Sequence, residues 1–520
     1  MNKFSCFPPT IACFIRSCFR LCVLKVNPFW VCLCYFVTLS ALGFLALSLT
    51  NTNTNSLKPK NLDFFFTSVS ASTDSSMSTV EMEVFSNTQL VILTILMLVG
   101  GEVFISMLGL QFFKSKLPKN QQSILVANKP SNSSLDHPIQ LNLVSCPSNL
   151  ENNYDNIIKS SSRDHDDDDD LILKCNSIKL LSYVVLGYLL VIHIGGSILI
   201  YLYIILVPSA EQILDQKGLQ LKTFSVFTTV SSFSNCGFVP TNENMMVFKK
   251  NSGLLLILIP QILLGNTLYP SCLRLVIWVL KKITKKLEFV YLLKNSREIG
   301  YYHLLSGVHS CLLAVTVFGF ILLQWVLFIC LEWNSETMDG LNSYEKFVAS
   351  LFEVINSRYT GESVFDISLI SPAILVLFVG MMYLPPYTSF LPRRYRESDS
   401  LNLKEKKKTF MECVIFSQLS YLITFIILVC ITERHELRLD PLNFSVLNIT
   451  IEVISAYGNV GFSSGYSCNR RLRQVGLCND TWYGFVGRWS SQGKLILVLV
   501  MFFGRIKLFN IKGGKAWKLS

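Results

Sequence analysis

Charged side chains are scarce in this chain. Asp, Glu, Lys and Arg together make up 16% of its 520 residues, whereas soluble domains carry about 25%. Hydrophobic residues make up 51%, and the mean hydropathy is +0.43. This balance excludes an ordinary soluble protein and indicates a polytopic membrane protein. The net charge of +11 is therefore interpreted through the loops between membrane segments, and not as a sign of nucleic-acid binding.

Patterns that carry covalent chemistry are also missing from the sequence. The six histidines are scattered, and no Cys/His spacing is typical of a zinc site. No glycine-rich phosphate loop and no nucleophile-and-base arrangement is found. The sequence therefore favours neither an enzyme nor a resident cofactor.

Apolar runs dominate what is present. Eight of them are long enough to span a bilayer, or nearly so; they are 28–49, 88–113, 180–207, 253–280, 311–331, 370–391, 410–431 and 495–509. The first follows a basic, Cys-rich leader, residues 1–27. A cleaved signal peptide is disfavoured because no small-residue cleavage site follows this run.

Lys and Arg residues give the orientation. They follow the second, fourth, sixth and eighth runs, for example at Lys114, Lys281, Arg393 and Arg505. The positive-inside rule then predicts that both termini are cytoplasmic and that the odd-to-even connections face outward. The arginines at 470, 471 and 473 lie in the last outer connection and do not follow this rule.

The same outer connection carries signs of an oxidising compartment. Cys468 and Cys478 are ten residues apart and are candidates for a disulfide. Asn448 and Asn479 begin Asn-X-Thr sequons and are candidates for glycosylation.

Polar segments separate some of the apolar runs. Residues 114–177 contain the acidic run "RDHDDDDD", and such a run is typical of a solvated, disordered loop. A basic linker at 397–409 and a tail at 511–520 are likewise expected to be cytoplasmic.

The outer connections contain four imperfect copies of one pattern. They read "FFFTSVSASTDSSMST", "SVFTTVSSFSNCGFV", "SLFEVINSRYTGES" and "ITIEVISAYGNVGFSSG". When the copies are aligned on their last small residue, one position holds Ser76, Gly237, Gly361 and Gly461. Seven residues earlier the copies have Val69, Val230, Val354 and Ile454. A fourfold repeat predicts four similar structural units.

Each copy lies between an inbound and an outbound apolar run. Irregular backbone is tolerated at membrane depth where it lines a watery cavity. Four re-entrant helices followed by extended, Gly-containing strands would surround one axis, where carbonyl oxygens replace the hydration shell of a cation. The alternative is four ordinary Ser-rich loops, and the recurrence on one predicted side favours the pore.

Several stretches resemble one known family. "FTTVSSFSNCGFVPTNENM", "NSRYTGE", "MMYLPPYTSF" and "VISAYGNVGF" are similar to the plant HKT cation transporters, relatives of the bacterial Trk and Ktr potassium transporters. The likeness covers about residues 28–510. It implies an all-α membrane protein with eight transmembrane helices and four re-entrant pore helices around a pseudo-fourfold pore. The four fused membrane–pore–membrane units would be residues 28–113, 178–286, 287–396 and 410–510.

The resemblance also implies a function. Ser76, Gly237, Gly361 and Gly461 would form the selectivity filter, with the transported ion held by their backbone. Ser in the first unit marks the sodium-selective subclass, so passive Na⁺ transport in plant sodium homeostasis and salt tolerance is expected. The resemblance also implies a plasma-membrane location and a homodimer. A potassium or mixed Na⁺/K⁺ transporter, and a non-conducting receptor or scaffold, remain alternatives.

Other candidate residues lie near the expected pore. Asp74 would concentrate cations at the pore mouth, or would cap or brace the first pore helix. Gly380, with Pro385 and Pro386, would belong to an intramembrane gating loop or to a proline-kinked helix. Arg505 would line the cytoplasmic side of the pore as an electrostatic gate, or would anchor its helix at the interface.

Overall fold

A computed structural model describes residues 28–53, 59–116, 151–296, 298–385, 387, 418–471, 478 and 480–510. The predicted leader, the 397–409 linker, the 511–520 tail, Pro386 and the Asn479 sequon residue lie outside the described residues. The described part is helical and contains no β-strand, which confirms the predicted all-α class.

The helices alternate between long apolar ones and shorter ones that carry the repeated pattern. In chain order they are α1 Pro28–Leu49, α2 Asn61–Ser72, α3 Asn87–Gly100, α4 Glu102–Lys116, α5 Glu151–Leu206, α6 Pro208–Gln216, α7 Leu221–Ser234, α8 Ser252–Gly265, α9 Tyr269–Thr284, α10 Leu287–Lys294, α11 Gly307–Glu332, α12 Ser343–Asn356, α13 Pro372–Tyr383, α14 Gln418–Thr432, α15 Arg434–Leu439, α16 Val446–Gly458 and α17 Ser491–Asn510. The repeated pattern forms α2, α7, α12 and α16, which we call the pore helices.

Two outbound spans that were predicted as continuous are broken. The pair α3 and α4 bends by 60°, and the pair α8 and α9 bends by 87°. Gly101 has an extended backbone between the first two helices, and Asn266 leaves helical geometry after α8, which also contains Pro260. Each bend lies where one residue leaves helical geometry, at Gly101 and at Asn266, and glycine reaches such angles at little steric cost. With each bent pair taken as one span, the described residues contain up to five helices of spanning length.

Two other expectations need correction. The sixth apolar run was predicted to reach residue 391, but α13 ends at Tyr383, because the residue before Pro385 is pushed out of helical geometry. The acidic run at 163–170 was expected in a disordered loop. Its backbone instead continues the helix Glu151–Leu206.

The units are arranged in a closed cycle. The outbound helix α3 of the first unit packs against pore helix α7 of the second, and α8 packs against α12 of the third. Likewise α13 packs against α16, and α17 of the fourth unit packs against α2 of the first. This cyclic order produces four fused membrane–pore–membrane units around one axis.

Glycines allow three outbound helices to pass close to the ends of their own pore helices. A Cβ atom at Gly100, Gly265 or Gly504 would overlap a carbonyl oxygen of a pore helix. The oxygens belong to Ser72, Phe233 and Tyr457, each four residues before the aligned filter position. The same contact therefore recurs in the first, second and fourth units.

We expect the substitution Gly265→Ala to destabilise the protein, because the new methyl group overlaps the carbonyl of Phe233. Overpacking of this kind costs about 1–3 kcal/mol. The apparent Tm of the detergent-purified protein should fall by several degrees, as measured by size-exclusion chromatography after heating. Gly319→Ala is the control, because Gly319 is exposed on α11 and its Cβ would meet open space. Equal melting of the two variants would contradict the close approach.

Candidate functional site

The structure brings the four aligned residues together in a ring. All four have positive φ angles: 51° at Ser76, 86° at Gly237, 69° at Gly361 and 99° at Gly461. Each segment lies against the next one in cyclic order. Gly237 faces the carbonyl of Thr360, Gly361 faces Val460 and Gly461, and Gly461 faces Ser75 and Ser76. The thiol of Cys236 contacts the backbone of Ser76 and closes the ring.

Left-handed residues end three of the four pore helices. Asp74, Asn235 and Asn459 have φ angles of 51°, 61° and 53° and precede the ring residue by two positions. Asn and Asp tolerate this conformation better than other residues that carry a Cβ. The recurrence of Asn or Asp two residues before the aligned position is the sequence pattern that indicates where these pore helices end. The third unit has Tyr359 there.

Side chains tie neighbouring units together at the ring. The Ser232 hydroxyl of the second unit donates to Glu362 Oε1 of the third, at 2.7 Å. The Asn459 amide of the fourth unit donates to Ser75 Oγ of the first, also at 2.7 Å. These buried hydrogen bonds hold the ring segments in fixed relative positions.

Two buried carboxylates hold the extended segments that follow Gly361 and Gly461. Glu353 Oε2 accepts the N–H of Val364 at 2.8 Å, and Glu452 accepts the hydroxyl of Ser463. Both acids belong to pore helices and are fully buried. The repeated "EVI" in the third and fourth copies is the sequence pattern that marks them, although it did not enter the prediction of the site.

A cavity of about 150 Å³ opens on one side of the ring. We call it the vestibule. The four ring residues form its floor, and its wall includes Asp366, Tyr466, Arg470 and Trp482. Arg470, whose place in an outer connection was unexplained, therefore lies on a cavity that also contains a carboxylate.

An ion cluster joins the first and second units on the vestibule side. Lys217 Nζ lies 2.9 Å from Glu83 and 2.6 Å from Glu243. Burial alone would lower the pKa of Lys217, but hydrogen bonds to Glu243 and Glu83 outweigh it and raise that pKa. The cluster of one ammonium and two carboxylates gives this rim a net negative charge, which favours cations.

A second cavity of about 70 Å³ lies on the other side of the ring, and we call it the basal cavity. The C-terminal ends of α7, α12 and α16 reach it, and their partial negative charge favours cations there. The segment 382–385 also lines it. Arg358 donates to the Pro385 carbonyl at 2.8 Å and holds this segment in place.

The predicted gate residues lie in different places. Arg505 lines the basal cavity. Gly380 was expected in the gating loop. The structure instead places it on an exposed face of α13, where a Cβ would meet nothing within 4 Å. The residues of this unit that reach the cavity follow Gly380, because α13 ends between it and Pro385.

Asp74 was considered for the pore mouth, but the structure places it below the ring. It is 1% exposed and does not line the vestibule. The Arg505 guanidinium donates to Asp74 Oδ2 at 2.6 Å and to the Gly100 carbonyl at 2.5 Å. The alternative of a bracing role agrees with this position.

The loop before α17 contains the Cys468–Cys478 disulfide, with a Cα–Cα distance of 5.9 Å. Asn448, a glycosylation candidate, is instead buried near the start of α16. Its side-chain amide donates to the Asn443 carbonyl at 2.8 Å. In this position the nitrogen that would carry a glycan is occupied and inaccessible.

Known proteins that are similar to this chain are cation transporters. Residues 156–390 match the TrkH family, described as a cation transport protein. The chain is 48% identical over 520 residues to cation transporter HKT1;3 of Oryza sativa subsp. japonica, which covers 100% of this chain and 96% of that protein. It is 51% identical over 471 residues to sodium transporter HKT1 of Arabidopsis thaliana, covering 88% and 89%.

A solved structure of the potassium transporter TrkH from Vibrio parahaemolyticus aligns with 93% of this chain and 84% of its own, at 13% identity and a TM-score of 0.48. At that distance it adds nothing to the assignment. The two plant relatives match the chain over nearly its full length. The chain therefore belongs to the HKT cation transporters, a family of multi-pass membrane proteins that transport ions and are not enzymes.

Proposed function

We propose that this protein is a sodium-selective transporter with a channel-like, passive mechanism. The observation that carries the proposal is the ring of Ser76, Gly237, Gly361 and Gly461, with a cavity on each side. A cation entering from the vestibule sheds part of its hydration shell at the ring, where backbone oxygens replace it. It then enters the basal cavity and moves down its electrochemical gradient.

Ser76 is the feature that favours sodium. Its Cβ and hydroxyl lie beside Gly461 at the one ring position that is not glycine. The extra atoms narrow the ring and restrict its backbone, which disfavours four-carbonyl coordination of the larger potassium ion. Partly hydrated Na⁺ still fits off-centre. The Arabidopsis relative is a sodium transporter, and its high identity supports the same ion here.

The location and assembly form part of the same proposal. Lys and Arg follow the even-numbered apolar runs, which supports cytoplasmic termini, an extracellular vestibule and a cytoplasmic basal cavity. The Cys468–Cys478 disulfide then lies in the oxidising extracellular space. We further propose that the protein acts in the plasma membrane of a plant cell, as a homodimer with one pore in each protomer.

Replacing Ser76 with glycine should admit potassium, because it removes the intruding side chain. Reversal potentials are measured in oocytes in mixed Na⁺ and K⁺ solutions. They should depend on the external Na⁺ concentration alone in the wild type, and on both the Na⁺ and the K⁺ concentrations in Ser76→Gly. Ser335→Gly, in the loop after α11 and lining neither cavity, is the control and should behave as the wild type. A wild type that already passes K⁺ as well as Na⁺ would overturn the proposed selectivity. Surface-expressed protein with no cation current would favour the receptor or scaffold.

Gly237→Ala should abolish Na⁺ current, because its methyl group would overlap the Thr360 carbonyl of the neighbouring unit. The control is Gly340→Ala, which has a similar φ of 74° but open space around the new Cβ. That control carries the strain of a left-handed alanine, about 1–2 kcal/mol, without the clash. Currents are normalised to surface protein. Equal currents from the two variants would contradict the ring as the conduction path.

A further inference from the structure

The basal cavity carries positive charge in a path proposed for cations. Arg358, Arg505 and Lys507 line it, and no carboxylate is among the described residues of its wall. A cation that leaves the ring therefore meets three cationic side chains at close range. Their charges must be offset for passage to be easy, because electrostatic barriers in narrow cavities limit conduction.

Asp74 contacts one of these three groups directly. Its carboxylate accepts a 2.6 Å hydrogen bond from the Arg505 guanidinium, and both side chains are at most 5% exposed. The Gly100 carbonyl accepts a second hydrogen bond from the same nitrogen, and the Phe36 ring lies 5.8 Å from the guanidinium carbon. The guanidinium is thus held toward the first unit, on the wall of the cavity.

A matched ion pair joins the same two units elsewhere. Asp63 and Lys494 lie 2.9 Å apart and link α2 to α17, while Asp74, two residues after α2, pairs with Arg505 of the same helix α17. Asp63 and Asp74 are eleven residues apart, which would be about 17 Å along a continuous helix. The Asp63–Lys494 pair lines neither cavity. Loss of the Asp63–Lys494 pair therefore measures the structural effect of a missing ion pair, without the electrostatic effect on a cation in the basal cavity.

Glu102 is a second buried carboxylate in the same region. Its Oε1 atom accepts the Tyr387 hydroxyl at 3.0 Å and lies 3.8 Å from His303. These partners fix Glu102 toward the third unit. Asp74 is consequently the carboxylate that both contacts the guanidinium and lies at the end of a pore helix.

We propose that Asp74 is a positioning residue for permeation. Its carboxylate fixes the Arg505 guanidinium against the wall below the ring and neutralises it, and this sets the barrier that a cation meets in the basal cavity. The inference rests on the proposed cation path through the ring. Asp74 and Arg505 together, and not Arg505 alone, then set the height of the electrostatic barrier in the basal cavity.

The test compares four full-length variants with the wild type in oocytes: Asp74→Asn, Arg505→Gln, the double variant and Asp63→Asn. Na⁺ conductance per surface protein and the shape of the current–voltage curve are measured. Asp74→Asn keeps the size of the side chain but exposes the Arg505 charge, so conductance should fall about tenfold. Removing Arg505 as well should restore conductance to near the wild-type level. Asp63→Asn should conduct as the wild type does, even if its apparent Tm is lower.

The outcomes distinguish a failure of the proposed function from a failure of the role assigned to Asp74. A wild type without Na⁺ current would overturn the proposed function itself. A conducting wild type whose Asp74→Asn variant is unchanged would overturn this inference alone, as would a loss that persists in the double variant or a loss of the same size in Asp63→Asn. If Asp74→Asn fails to reach the surface, Arg505→Gln and the double variant are compared. Arg505→Gln keeps an uncompensated carboxylate and should conduct severalfold more Na⁺ than the double variant. Equal conductance of these two variants would refute the role of Asp74.

Discussion

Peptide N–H and C=O groups within a membrane need partners or water, and this constraint determines the ring. The extended segments after the pore helices form no β-ladder that would pair their backbone N–H and C=O groups. Glu353 and Glu452 accept donors from two of these segments, and the Thr360 carbonyl lies against Gly237 of the neighbouring unit. Such an arrangement needs segments that approach closely, which explains the glycines at the ring and at the crossings of the outbound helices.

The charges follow from the same constraint. A fixed charge away from water is costly unless it is paired or hydrogen-bonded. Lys494 and Arg505 on α17 each meet an aspartate of the first unit, and Lys217 joins two glutamates at the vestibule rim. These pairs connect units that are distant in sequence. Lys217, Lys494 and Arg505 therefore each have a partner of opposite charge, and the four ring residues carry no charged side chain.

Much of this architecture could be predicted from the sequence, because a fourfold repeat and eight apolar runs leave few arrangements that satisfy a bilayer. The register that aligns Ser76 with three glycines was available from the letters alone. The bends at Gly101 and Asn266 were not, since hydropathy averages over a break of a few residues. The pairing of Asp74 with Arg505 was also missed, because 431 residues separate them and only the cyclic closure brings them together.

The third unit differs from the other three units of the chain in several ways. It lacks a left-handed Asn or Asp before the ring, and its outbound helix lacks the glycine crossing. That helix stops at Tyr383, and Leu384 and Pro385 line the basal cavity, where Arg358 donates to the Pro385 carbonyl. The fourth unit still approaches that helix closely, because a Cβ atom at Gly458 would lie 2.7 Å from the Met382 carbonyl near the end of α13. One quarter of the basal cavity wall is therefore chain that has left its helix, so its position depends on Arg358 and on contact with a neighbouring unit more than on a helix of its own.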